Sequence, residues 1–106
     1  MSEEELRGID NRVAVEFGWK WRNPPWYTTD PADADLVRFE IERRGWVWSI
    51  GPWEDGKYIC NVSGGTYRCS KPPYGIVQGD SPHIALCLAF LAACDATKED
   101  KVNATD

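Results

Sequence analysis

The chain has little of what catalytic and metal sites are usually made from. It has one histidine and one methionine in 106 residues. A Ser-His-Asp or Cys-His arrangement would have to use His83, and no base–nucleophile pair assembles around it, so an enzyme is not expected. The four cysteines, Cys60, Cys69, Cys87 and Cys94, contain no C-x-x-C pair, so no metal site is expected. Ser63-Gly64-Gly65-Thr66 reads as a hairpin turn rather than a phosphate cradle, and no cofactor is expected either. Basic charge is also scarce. Twelve Lys and Arg face seventeen Asp and Glu, for a net charge of −5. That argues against DNA or RNA polymers, which need a cationic surface, and leaves room for a local basic pocket around a small anion. The longest apolar run is eleven residues, against the ~20 that a bilayer span requires. The opening MSEEELRGID is acidic and lacks the apolar core of a signal peptide, so cytoplasmic residence with reduced cysteines is expected.

That apolar run is Ile84–Cys94, IALCLAFLAAC, and it organises the rest. Ser81 is placed to cap it, and Pro82 suits the first helical position. A helix that is apolar all round needs cover on both sides. Cys87 and Cys94, seven residues apart, share a face and read as small core residues.

The remaining elements follow from period and punctuation. Leu6, Ile9, Val13 and Phe17 make a helical stripe from Glu3 to Phe17, with Gly18 as its stop and Arg7, Asn11 and Arg12 toward water. The segment from Trp19 to Asp30 carries a double proline and four aromatics in nine residues, and favours an extended or turning path, a short strand or an extended arm. Asp30 caps a second helix, Pro31 to Arg44, with Ala34, Val37 and Ile41 buried and Leu36 and Phe39 beside them. Strands are expected at Trp46–Trp53, Lys57–Ser63 and Thr66–Ser70, with a short edge strand at 74–77 and an Asp55-Gly56 hairpin turn between the first two. Trp46, Trp48 and Ile50 share one strand face. After Asp95 the chain is polar and without period, and residues 96–106 read as a flexible tail on a single domain of residues 1–95. The expected class is α+β: an α-β-α sandwich whose antiparallel meander of three or four strands is covered by helices. A sheet covers only one side of the 84–94 helix, so a homo-oligomer through that helix is expected.

In order along the chain, Gly18-Trp19-Lys20-Trp21, the aromatic and proline-rich loop, the Thr29-Asp30 helix entry and the terminal Gly79–Leu91 element resemble the phage ABA sandwich domain, a family of small phage-encoded proteins. The resemblance covers about residues 5 to 94. It departs at Gly64-Gly65 and at Cys60 and Cys69. It implies an α-β-α architecture and a phage origin, hence action in the cytoplasm of an infected host cell. Small phage proteins of this size include counter-defence factors that sequester nucleotide immune signals.

Flat aromatics beside cationic groups are what a nucleotide needs. Trp19, Lys20, Trp21, Arg22, Trp26 and Tyr27 supply both. The helix start at Ser81 and His83 offers an anion site. Arg12, Arg43, Arg44, Arg68 and Lys71 are further cations. The leading expectation is a sponge-like binding protein for a small nucleotide-type anion, with no chemical step. The alternatives are a structural or protein-interaction module with a Trp-rich contact surface, and a hydrolase of signalling nucleotides.

Overall fold

The computed structural model describes residues 2–20, 23–64 and 75–104. The element order is α1 (Glu3–Glu16), α2 (Pro31–Arg43), β1 (Trp46–Pro52), β2 (Tyr58–Gly64), β3 (Gly75–Gly79) and α3 (Pro82–Ala104), with one 3-10 turn at Glu54–Gly56. The strands form an antiparallel sheet in the order β1-β2-β3. The class is α+β, a sheet with helices packed on it, as the sequence predicts. The strand expected at Thr66–Ser70 lies outside the described residues, and the edge strand expected at 74–77 is β3.

Local chemistry sets most of the boundaries. Ser2 accepts from the Glu5 N–H and returns its hydroxyl to the Glu5 carboxylate, both at 3.2 Å, which starts α1. Its end is a Schellman motif. Gly18 takes φ of 72°, its N–H donates to the Val15 carbonyl, and Trp19 N–H donates to the Ala14 carbonyl at 2.9 Å. Asp30 accepts from Ala32 N–H at 2.8 Å to start α2, and Gly45, at φ of 78°, closes it. The hairpin between β1 and β2 turns on Asp55 and Gly56, both left-handed, with Lys57 N–H donating to the Glu54 carbonyl. That is the backbone an Asp-Gly turn favours.

Ser81 caps α3, accepting from Ile84 N–H at 3.2 Å. The helix does not stop at Asp95, where the sequence pattern places an unstructured tail, but runs to Ala104. Once nucleated, a helix adds a residue at little cost, and this stretch contains no proline or glycine. Thr97 also turns its hydroxyl back onto the carbonyls of Ala93 and Cys94.

The layers explain why residues 84–94 of α3 are apolar all round. It packs on the sheet, and α1 and α2 both pack on it. Ile84 to Leu91 is buried throughout except for half-buried Leu88, and Ala93 and Cys94 are buried as well. The side of α3 that seemed to require a second chain is covered by α1 and α2 of the same chain. The dimer expected through residues 84–94 therefore loses the exposed surface on which it rested. Val13, Ala14, Val37 and Ile41 from those helices meet Cys60 and Val62 from the sheet in one core around Phe90. Leu36 and Phe39, expected beside the buried stripe of α2, are exposed instead.

The end of β3 approaches the first turn of α3 closely at Gly79. A methyl group there would lie 2.6 Å from the Ala85 nitrogen and 2.9 Å from its Cα. Both are backbone atoms that cannot swing aside. Gly79→Ala is expected to lower the urea midpoint by an amount worth about 1–3 kcal/mol. Gly51→Ala, which meets nothing within 4 Å, is the control and should cost little.

Candidate functional site

From Asn23 on, the aromatic arm takes the turning path. It folds back on α1 through one acidic residue that faces the interior. Asp10 is wholly buried. Its carboxylate accepts the Thr28 N–H at 2.9 Å and the Arg7 guanidinium at 2.7 Å. Arg7 also donates to the carbonyls of Pro24 and Pro25, at 2.9 and 3.3 Å, and stacks 3.8 Å above the Trp26 ring. Arg7 was expected to face water; it instead satisfies carbonyls that a proline-rich loop cannot pair within itself. Trp26 N–H donates to Asp33 at 2.8 Å, tying the other end of the loop to α2.

This anchoring drives Tyr27 inward. It is 1% exposed and meets Phe17 edge-to-face at 5.3 Å. Tyr27 is therefore a core side chain rather than part of an open aromatic arm. Its hydroxyl is pushed up to about 12 by burial and by Asp33 and Asp10. Burial alone pushes the Cys60 thiol up to about 12, and burial raises Cys87 as well. All three groups are neutral in the folded chain. In the unfolded chain a thiol ionises near 9.0 and a phenol near 10.0. Below those values both states hold the proton and pH has no effect through these groups. Between there and about 12 only the unfolded state releases it, so stability falls as pH rises. The thermal midpoint is expected to hold from pH 7 to 8.5 and to drop steadily above pH 9. Cys60→Ser and Tyr27→Phe should each flatten that drop.

Tyr27 and Phe17 form the floor of an open groove of about 460 Å³. Trp19 stands on one wall, held there by the Schellman turn at the end of α1. Leu36, Phe39, Glu40 and Arg43 of α2 make the other. Trp19 is 37% exposed and Phe39 54%, so two ring systems present their surfaces to solvent. The polar groups sit together on the α2 side. Arg43 holds the Glu40 carboxylate with Nε and Nη2, the latter at 2.8 Å. That bond is the main reason the Glu40 carboxyl lies below the usual range. Arg44 approaches the same carboxylate at 3.5 Å.

Of the residues the sequence singled out, the groove brings together Trp19, Tyr27 and Arg43. Lys20 is exposed beside Trp19 in the chain. Trp26 is elsewhere, under Arg7. Ser81 is used as a helix cap, and half-buried His83 follows Pro82 in the first turn of α3; neither lines the groove. Trp21, Arg22, Arg68 and Lys71 lie outside the described residues. Arg12 reaches Asp95 at 3.6 Å. The sequence reading missed Phe17, Leu36, Phe39 and Glu40 as lining residues. The signal for two of them was present: Leu36 and Phe39 are large apolar residues off the buried stripe of a helix that is otherwise polar there.

No helix among the described residues is long and apolar enough to cross a membrane. No family model matches the chain, and neither a curated protein nor a solved structure does.

Proposed function

We propose that this chain is a binding protein that captures a small nucleotide-type anion without changing it, its ring lying against Trp19 and Phe39. The observation that carries this reading is the groove: four aromatic side chains converge on one open volume of about 460 Å³, a size typical of small-ligand sites. A base stacked on one aromatic ring contributes about 1–3 kcal/mol. Taken with the resemblance to small phage proteins, the reading extends to a sponge-like, anti-defence role in the cytoplasm of an infected host cell.

The test is uptake. Nucleotides incubated with the purified protein should leave solution and return intact on heat denaturation. Cleaved products would favour a hydrolase. Trp19→Ala and Phe39→Ala alter exposed side chains and should leave the fold in place while weakening uptake about tenfold or more. Unchanged uptake in both variants would move the site away from the groove.

One observation favours a second reading, the protein-interaction module. Leu36 is 46% exposed and continues the apolar surface of Phe39 along α2. Loss of a protein contact on Leu36→Asp, with nucleotide uptake absent from the parent protein, would select it.

A further inference from the structure

The groove is apolar over most of its lining, yet its polar end is built unevenly. Two guanidinium groups, Arg43 and Arg44, meet there on the single carboxylate of Glu40. They are not equivalent. Arg44 is held from several sides. It donates to the Cys94 sulfur at 3.2 Å and to the Glu16 carbonyl at 3.4 Å, and lies 5.2 and 5.1 Å from the Trp46 and Phe90 rings. It serves the joint between α1, α2 and α3. Arg43 has a different setting. Its side chain is 72% exposed, and among the described residues its guanidinium bonds to Glu40, one helical turn back. The Glu40 side chain is far less exposed than its partner and keeps Arg44 beside it. If Arg43 turns away, Glu40 still has a counter-charge. The reverse exchange, Arg43 moving onto another anion, therefore strands no buried carboxylate.

We propose that Arg43 is the anion anchor of the groove, released from Glu40 to grip a phosphate carried by a flat ring that stacks on Trp19 and Phe39. The ligand class is a phosphate monoester that carries an aryl or heteroaryl ring, directly or through a sugar. This rests on the groove being the binding site. A guanidinium offers a phosphate two parallel N–H donors, the same fork it now gives Glu40. The complementarity is local: in a chain of net charge −5, the cation at the groove wall separates a ring that carries an anion from one that does not. Glu40 then acts as a competitor, holding Arg43 until a stronger acceptor arrives.

The experiment titrates the full chain with two probes of one ring, 1-naphthyl phosphate and neutral 1-naphthol, read by calorimetry and tryptophan fluorescence at low salt. The expected result is that the phosphate binds more tightly than the naphthol. Arg43→Ala should weaken the phosphate about tenfold and barely move the naphthol, since it removes a charge-assisted pair alone. Glu40→Gln should tighten the phosphate by releasing Arg43. Arg43→Lys should recover only part of the loss, because an ammonium cannot make the fork. Added salt should erode the phosphate preference and leave the naphthol alone. If both probes bind equally and Arg43→Ala changes neither, the anchor is wrong while the groove stands. If neither probe binds, the groove itself is wrong and the anchor falls with it. Near-ultraviolet circular dichroism of each variant, expected to match the parent, confirms that the comparison is between folded proteins.

Discussion

Asp10→Ala is expected to remove about 3–5 kcal/mol of unfolding free energy in a urea titration, the cost typical of breaking a buried charge pair. A protein this size has about 5–15 kcal/mol in all, so the variant should be poorly folded at 37 °C. Asp10 is 0% exposed, and two groups depend on it. The Thr28 N–H, in a residue that is itself 1% exposed, loses its acceptor. Arg7 loses its counter-charge while still held against the Pro24 and Pro25 carbonyls. Arg7→Ala should be comparably damaging, since it strands the buried carboxylate. The double variant should cost clearly less than the sum, because the two side chains act through one network. A loss below about 1 kcal/mol for Asp10→Ala would place this pair with ordinary surface ion pairs and sink the account. The damage has a second readout. Thr28 follows Tyr27, so a loosened loop should withdraw the groove floor and weaken ligand uptake in whatever fraction remains folded.

Phe90→Ala should cost a similar amount, about 3–5 kcal/mol, through the transfer term and the cavity left behind. Phe90 is fully buried in the middle layer. Its ring centroid lies 5.5 Å from that of Phe17 and 6.3 Å from that of Trp46, and the Arg44 guanidinium lies 5.1 Å away. One side chain thus touches α1, the sheet and the end of α2. Truncating it should shift the urea midpoint without changing the slope, since the same surface is still exposed on unfolding. Phe90→Leu, which keeps most of the volume, should lose less than about 1.5 kcal/mol. Similar losses for the two variants would show that ring contacts, not filled volume, hold the layers.

The aromatic arm and α3 show how far a sequence pattern reaches. The arm was recognisable as unusual from Trp19, Trp26 and Tyr27, but the three take different settings on folding: Tyr27 buried as the groove floor, Trp26 under Arg7, Trp19 on the groove wall. Composition alone cannot sort them, because an aromatic ring serves a core and a binding surface through the same property. Arg7 looked like the wet side of an amphipathic helix, and nothing in the pattern marked Asp10. They are three residues apart and pair along α1, and only a loop returning from eighteen residues later makes that pair interior.

The sequence by itself determined where the helices begin and how the main turns are made. Ser81, Asp30, Gly18, Gly45 and Asp55-Gly56 act through bonds spanning a few residues, so their effect is written locally. It also determined that α3 must be covered on both sides, since no residue of Ile84–Cys94 tolerates water well. What covers it was left to the tertiary structure. α1 and α2 lie against the side away from the sheet, where a second chain would have served the same need. Apolar surface is removed from water equally by either partner. Burial can thus be demanded by a stretch of sequence without naming what supplies it. The groove has the same origin. Trp19 and Phe39 are twenty residues apart, and they face one volume only because α1 and α2 share α3 as their support.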